Sequence, residues 1–229
     1  MTPESLLALL QFSDGLFPAG AYAHSHGLET YVQRGMVRDA HGAEELLFAY
    51  LRGSAGPSDA VAVVNTMRAA AACDLDRCLK IDAILDAMKS AAELRNASRQ
   101  LGRQTMRVAT ALMPDPIIAH FSRLAEADAT PCHHAVAFGL AGTANHWTEA
   151  DSARAYLYST TAAFAGAALR LIPLGQIQAQ RLIHSALRLV ASLATRAVDT
   201  DISEMAGFAP GLEIAAMRHA RLQERLFRS

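Results

Sequence analysis

The chain has 229 residues, a formal net charge of −1 and 52% hydrophobic residues. The balanced charge gives no field that favours nucleic acid, and this much apolar content exceeds that of disordered chains. No stretch has the length and apolarity of a membrane-spanning helix, and the N-terminus lacks the pattern of a signal peptide. We therefore expect a cytoplasmic protein that binds neither nucleic acid nor membrane.

The first third of the chain predicts helices around one irregular loop. Thr2 as N-cap and Pro3 at the first helical position predict a helix at the N-terminus. Residues 13–30 are rich in glycine and proline, which is typical of a shaped loop, and they pass into a helix expected from about residue 23 to Arg34. Further elements are a helix capped by Asp39 and reaching Leu51, a loop at 53–58, and helices at about 57–72 and 74–88.

The clearest helical periodicity lies between residues 90 and 113. Apolar and small side chains recur at spacings of three and four, which predicts one buried stripe: Leu94, Ala97, Leu101, Thr105, Val108 and Leu112. Arginines four apart occupy another face: Arg95, Arg99, Arg103 and Arg107. Two interpretations of this row stay open. It is either a solvated face, or a face that docks an acidic partner or carboxylates within the fold.

The second half of the chain also predicts helices. Small residues from Ala135 to Ala144 allow another backbone to approach closely, and Thr148 with Asp151 resembles a capping box. The helix that follows becomes apolar on all sides, as expected for a central element. Later elements are a helix at about 175–198, an irregular stretch to residue 210 and a last helix after it. The sequence therefore predicts one all-α domain over residues 1–229, with eight to ten helices.

The C-terminal segment, residues 211–229, has an unusual composition. If it is helical, four arginines form one stripe beside two leucines: Arg218, Arg221, Arg225 and Arg228 beside Leu222 and Leu226. Cationic residues at a helix C-terminus complement the helix dipole, which is one explanation. However, Leu222, Leu226 and Phe227 are costly to leave in water. We therefore predict that this segment is a tail that binds a partner protein.

Sequence motifs for catalysis or metal binding are weak. The pairs His24/His26 and His133/His134 cannot chelate a metal from one face of a helix, because that requires i, i+4 spacing. Three cysteines, Cys73, Cys78 and Cys132, lack the spacing of a metal site and are expected to be reduced and buried. Two alternatives are weighed: a hydrolase using His24, Ser25 and Glu29, and a nickel-binding chaperone using His24, His26, Cys73 and Cys78.

Several segments, in order along the whole chain, resemble the UreF family of urease accessory proteins. The loop at 13–30 is similar to the family's N-terminal signature, through Pro18, Gly20, Tyr22, His24, Ser25, Gly27 and Glu29. Further similarities are Glu93 to Arg103, His134 to Gly139, Arg170 to Gln176 with Gln180 and Arg181, and the ending Arg225 to Ser229. Each similarity alone is modest, but five in order are specific.

The resemblance implies an all-α homodimer that is not an enzyme and has no cofactor. Such a protein binds UreD, also called UreH, and recruits the GTPase UreG, and the complex delivers nickel to apo-urease. The resemblance assigns the tail to UreD/UreH. The signature residues, with Arg95 and Arg103, are assigned to the loop geometry and to a dimer or UreG surface. The resemblance also implies that nickel is carried mainly by UreG, so that this chain needs no tight metal site.

Overall fold

The computed structural model describes residues 1–17, 24–222 and 225–227, and these residues form helices without any strand. This confirms the predicted all-α class. Within the described ranges, no helix combines the length and the apolarity that crossing a membrane requires. The helices run as follows: α1 Pro3–Ser13, α2 Leu28–Gln33, α3 Ala40–Tyr50, a π-helix Leu51–Ala60, α4 Val61–Ala71, α5 Leu75–Met88, α6 Ala92–Leu112, α7 Pro116–Glu126, α8 His134–Ala144, α9 Glu149–Leu171, α10 Gln176–Asp199, a short 3₁₀ helix Ile202–Glu204 and α11 Pro210–His219.

Four helices begin at side-chain caps that local sequence identifies. Thr2 accepts a hydrogen bond from the Ser5 amide, and Asp39 accepts one from the Gly42 amide. Asp74 and Thr148 do the same for α5 and α9. Each cap satisfies an amide that the first turn leaves without a helical partner. The predicted starts of these helices are thereby confirmed.

The predicted loop at residues 53–58 is wrong. The chain instead continues from α3 through the π-helix into α4, with Pro57 inside the helical segment. Gly56 is buried against the side chain of Leu193, where a Cβ atom would lie 2.9 Å from a methyl carbon. Tertiary packing therefore overrides the turn-forming composition of this segment. If α3, the π-helix and α4 are counted as one continuous helix and the short 3₁₀ helix is not counted, the described residues contain ten helices.

Two other boundaries differ from the prediction for local reasons. α2 begins at Leu28 and not near residue 23, because His26 and Gly27 have φ angles of 51° and 86°, which no α-helix accepts. α7 was not predicted, because Pro116 was interpreted only as the end of α6. It is in fact the first residue of α7, and Asp115 caps this helix by accepting hydrogen bonds from the Ile117 and Ile118 amides.

α8 lies at the centre of the fold and packs against α4 and α6. Its small residues allow the close approach that the sequence predicted. A Cβ atom on Gly139 would lie 2.7 Å from the carbonyl oxygen of Val63 on α4. The backbone on its N-terminal side is fixed by Asp82, a fully buried carboxylate that accepts hydrogen bonds from the Cys132 amide at 2.6 Å and the His133 amide at 2.8 Å. The approach of α8 to its neighbours is therefore set by backbone contacts.

Candidate functional site

The C-terminal tail, meaning the residues after His219, is attached to the body of the fold through Glu29. This residue lies in the first turn of α2 and is buried. Its carboxylate accepts hydrogen bonds from the amides of Leu226 at 2.7 Å and Phe227 at 3.1 Å. Hydrogen bonds to a charged acceptor are stronger than neutral ones, so this carboxylate is the main polar anchor of the tail.

A buried histidine connects the same carboxylate to α6. His219, the last residue of α11, has Nε2 2.8 Å from Glu29 Oε2 and Nδ1 2.8 Å from Glu93 Oε2. Each ring nitrogen is therefore within hydrogen-bond distance of a carboxylate oxygen. Arg225 lies 3.4 Å from the other oxygen of Glu93. We call Glu29, His219 and Glu93 the tail cluster, because it joins α2, α6 and α11 at the point where the tail begins.

Phe227 is the apolar anchor of the tail. Its ring is buried, and the guanidinium of Arg170 on α9 stands 4.4 Å above the ring centroid. A cation over an aromatic face is attracted by the ring quadrupole. The adjacent Leu226 is exposed, and so is Arg225. At this end of the described tail, the Phe227 side chain therefore faces the core, whereas the side chains of Arg225 and Leu226 face solvent.

The predicted helical stripe of arginines does not form. α11 ends at His219, so Arg218 is helical, whereas Arg221, Leu222 and Arg225 are not. Arg218, Arg221 and Arg225 are exposed, and Leu222 is half-buried. Arg228 lies outside the described residues. The described part of the tail is not helical, so its cationic side chains are not aligned by a helix, and Leu226 and Phe227 are docked on α2 through Glu29.

The residues of the N-terminal signature fall into two groups. Pro18, Gly20 and Tyr22 lie outside the described residues. His24, Ser25, Gly27 and Glu29 are all buried. Gly27 takes a left-handed conformation, and a Cβ atom there would lie 3.4 Å from the Leu212 carbonyl oxygen of α11. The described signature residues therefore lie inside the fold, where they bring α2 against α11.

The arginine row on α6 is used mostly within the fold. Arg99 forms an ion pair with Asp86 at 2.6 Å, and Arg103 forms one with Asp128 at 2.7 Å. Arg95 donates a hydrogen bond to the Lys89 carbonyl oxygen at 3.1 Å. Of the two interpretations, contact with carboxylates inside the fold applies to Arg99 and Arg103.

A cavity of about 110 Å³ lies beside the signature loop and is lined by several titratable side chains. His26 stacks on Tyr50, with its Nδ1 3.2 Å from the tyrosine hydroxyl. Lys89 and Asp59 form an ion pair at 2.8 Å on another wall. Burial, with the nearby positive groups of His24 and Lys89, lowers the pKa of His26 to about 3. Both the stacking and the low pKa indicate a neutral imidazole at pH 7.

His134 lines the same cavity next to Tyr156, with ring centroids 5.2 Å apart. Burial lowers its pKa to about 4, although Asp59 acts in the opposite direction. Both histidines therefore resist protonation in the folded state and accept it freely in the unfolded chain. By linkage, folding stability is complete above about pH 6.5 and decreases as the pH falls toward these lower pKa values.

This linkage gives a testable prediction. Acidification from pH 6.5 to 4 is expected to lower the urea midpoint of unfolding. Each histidine lowers the free energy of unfolding by at most about 1.4 kcal/mol per pH unit, and by less where the cavity admits water. His26→Gln and His134→Gln should flatten this dependence. His120→Gln, on the exposed side of α7, is the control and should leave the curve unchanged. If the urea midpoints of the unaltered chain and of all three variants depend equally on pH, His26 and His134 are not the source of the pH dependence.

The structure does not favour either chemical alternative from the sequence. Among the described residues, no three histidine, cysteine, aspartate or glutamate side chains are placed to hold one metal ion. Cys78 and Cys132 are buried, and burial raises the pKa of each thiol to about 12. Cys73 is exposed, which corrects the expectation that all three thiols are buried. The carboxylate of Glu29, required by the hydrolase alternative, is occupied by His219 and the tail amides.

Sequence reasoning missed the partners of Glu29. Nothing in the sequence pattern singles out His219, and Glu93 is noted only as the first residue of a motif. The three residues of the tail cluster are separated by as many as 190 positions, so no periodicity connects them. One signal was available for Glu29, which occupies the first turn of a helix and has no lysine or arginine within four positions in the sequence. A buried carboxylate there requires a cationic partner from elsewhere in the chain.

Comparison with known proteins gives a consistent result. A family model described as UreF matches residues 37–187. A urease accessory protein UreF from Arthrobacter sp. (strain FB24) is 33% identical over 223 residues, which cover 97% of this chain and 96% of that protein. The protein of the same name from Trichodesmium erythraeum (strain IMS101) is 32% identical over 96% of this chain and 95% of its own. That from Lachnoclostridium phytofermentans (strain ATCC 700394 / DSM 18823 / ISDg) is 33% identical over 98% of each chain.

Proposed function

The chain belongs to the UreF family of urease accessory proteins, and on this premise we propose that it is a non-catalytic adaptor in urease activation. It binds UreD/UreH, recruits the GTPase UreG and helps the resulting complex to insert nickel into apo-urease. It acts in the cytoplasm as a homodimer. Nickel is the cargo of this assembly and passes through it without a resident site in this chain.

The observation that carries the proposal is the docked tail. Its backbone is fixed by Glu29 and its aromatic ring by Arg170, while the side chains of Arg221 and Leu226 point away from the core. A segment whose backbone is already ordered loses less conformational entropy when a partner covers its exposed side chains. The tail is therefore suited to present Arg221, Leu222, Arg225 and Leu226 to UreD/UreH, and the last turn of α11 adds Arg218.

The signature loop has an indirect role in this proposal. Since His24, Ser25 and Gly27 are buried, they shape the dimer or UreG surface by holding α2 and the loop in position, not by direct contact. Arg103, which is exposed beside Asp128, is the α6 residue best placed to meet a partner. Arg95 supports it by fixing the turn before α6.

A surface variant of the tail tests the assignment. Deleting residues 211–229 would remove His219 and Phe227, which are both buried, and would therefore disturb the fold. Substitution of exposed side chains is therefore the sharper experiment. Arg221→Glu combined with Leu226→Asp keeps the backbone bonds to Glu29. We expect this variant to fold normally and to lose at least about tenfold in affinity for UreD/UreH, because it reverses one charge and places another at an apolar contact.

The matched control makes the same two changes on a different surface. Arg107→Glu with Leu112→Asp alters one exposed arginine and one exposed leucine of α6. Co-purification and titration with UreD/UreH should not distinguish this control from the unaltered chain. If the tail variant binds as tightly as the control, UreD/UreH does not use the tail.

A further inference from the structure

The cavity of about 110 Å³ beside the signature loop lies between α1, the π-helix, α6, α8 and α9. Most of its lining is apolar, with aromatic side chains at the end of α1 and aliphatic side chains on α6 and α9: Phe12, Phe17, Leu94, Leu101 and Ala163. An apolar cavity of about 150 Å³ in a protein core can bind one benzene ring. Ligand pockets usually combine such a lining with a few placed polar groups. The volume of this cavity is therefore comparable with that of a single-ring molecule.

Tyr156 on α9 brings an unpaired hydroxyl group to this cavity. The residue is only 5% exposed, and it lines the cavity. Its carbonyl oxygen accepts hydrogen bonds from the hydroxyls of Ser159 and Thr160, but its phenol hydroxyl has no hydrogen-bond partner among the described residues. Unlike Trp147 Nε1, which is unpaired and sealed in the core, this hydroxyl is accessible from the cavity. A polar group this deeply buried is costly unless something in the cavity pairs with it.

His134, the first residue of α8, provides a second polar group next to Tyr156. It also lines the cavity, and the centroids of the two rings are 5.2 Å apart. Neither nitrogen of its ring forms a hydrogen bond with another described residue. Because burial lowers its pKa to about 4, the imidazole is neutral at pH 7, and one nitrogen can donate while the other accepts. Tyr156 and His134 can therefore donate one hydrogen bond to a ligand and accept another from it.

The charged side chains that line the cavity already have partners. Lys89 forms an ion pair with Asp59 at 2.8 Å. Glu213 and Asp14 each accept a hydrogen bond from a backbone amide, at 2.6 Å in both cases. A charged ligand would have to disrupt one of these contacts and leave a charge without its partner, which is costly where water is scarce. A neutral ligand leaves all of them in place.

We propose that this cavity binds a small neutral molecule made of one ring with one hydroxyl group, of which phenol is the simplest form. The hydroxyl group of the ligand pairs with Tyr156 and His134. Its ring packs among Phe12, Leu94 and Leu101, where an aromatic neighbour favours offset or edge-to-face contact. This inference goes beyond the adaptor function and does not depend on it, so that each can fail without the other.

Fluorine NMR with three matched probes tests the class of ligand on the full chain. The probe para-fluorophenol carries the ring and the hydroxyl, fluorobenzene carries the ring alone, and para-fluorobenzoate carries a negative charge in place of the hydroxyl. We expect para-fluorophenol to bind saturably at one site per chain. Fluorobenzene should bind at least about threefold more weakly, because Tyr156 and His134 stay unpaired. Binding of para-fluorobenzoate should be at least about tenfold weaker, because its charge has no free partner in the cavity.

Matched tyrosine variants on α9 locate the site. Tyr156→Phe removes only the hydroxyl, so it should weaken binding of para-fluorophenol about three- to tenfold and leave that of fluorobenzene nearly unchanged. Tyr158→Phe makes the same change at an exposed residue of the same helix that does not line the cavity, and it should bind all three probes as the unaltered chain does. Ala163→Leu fills the cavity and should abolish binding of para-fluorophenol and fluorobenzene. If that variant does not fold, the two tyrosine variants still decide.

Three results would overturn the proposal. If para-fluorophenol does not bind the unaltered chain saturably, the cavity holds water only. If Tyr156→Phe and Tyr158→Phe bind para-fluorophenol equally well, the Tyr156 hydroxyl is not its anchor. If para-fluorobenzoate binds more tightly than para-fluorophenol, the site selects an anion. Titration of the unaltered chain with UreD/UreH tests the adaptor function separately, and its result has no bearing on these three.

Discussion

A chain with Gly102→Ala is expected to be strongly destabilised. Gly102 lies on α6 where this helix meets the turn before α8, and a Cβ atom there would overlap with the carbonyl oxygen of Cys132 and lie 2.6 Å from the carbonyl carbon of His133. Backbone atoms cannot move aside as a flexible side chain can. The obstacle is also fixed, since Asp82 accepts hydrogen bonds from the amides of both residues.

The expected cost exceeds about 3 kcal/mol, at the upper end of what overpacking costs, and this is a large fraction of the stability of a typical domain. Urea unfolding followed by circular dichroism measures it. Gly42→Ala is the matched control, because Gly42 is also helical but has its nearest neighbouring atom 3.6 Å from the added Cβ. That variant should be neutral or more stable by up to about 1 kcal/mol. Equal midpoints for the two variants would contradict the close approach of α6 and α8.

Replacement of Glu29 by alanine is expected to release the tail. The change leaves the amides of Leu226 and Phe227 without their acceptor and leaves His219 with one carboxylate in place of two. Removing one partner from a buried charged network costs about 3–5 kcal/mol, because the remaining polar groups stay desolvated. Amide hydrogen exchange at residues 226 and 227 measures the release, and affinity for UreD/UreH should fall with it.

Glu93→Ala provides a graded comparison. Glu93 contacts His219 and Arg225 but accepts no hydrogen bond from the amides of Leu226 and Phe227, and it is less buried than Glu29. We expect a smaller loss of stability and nearly normal protection of the two tail amides. If Glu93→Ala releases the tail as fully as Glu29→Ala, the carboxylate of Glu29 is not the main anchor.

Local sequence was sufficient for the helices whose ends depend on nearby residues. Caps such as Thr2, Asp39 and Asp74 act within one turn, so their positions can be predicted from a few neighbours. The segment 53–58 could not be predicted in this way. Its glycines and serines favour a turn, but the burial of Gly56 under Leu193 of α10 depends on a residue more than 130 positions away.

The candidate site was predictable only in part. The apolar character of Phe227 and Leu226 drew attention to the tail, and the cost of exposing a phenylalanine explains why the Phe227 ring is buried, whereas Leu226 is exposed. The partner of the tail could not be deduced. Glu29 and Phe227 are 198 residues apart, and neither periodicity nor charge pattern indicates that the carboxylate of one accepts the amide proton of the other.

The rod formed by α3, the π-helix and α4 restricts how the length of this chain can change during evolution. A π turn contains more residues than an α turn, so the π-helix sets the rotational phase at which the side chains of α4 emerge. Most of α4 is buried against α5, α8 and α9. A single deletion between residues 51 and 60 would rotate that entire helix about its axis and turn apolar side chains away from all three neighbours. The register of α4 against these three helices therefore depends on the number of residues in the π-helix.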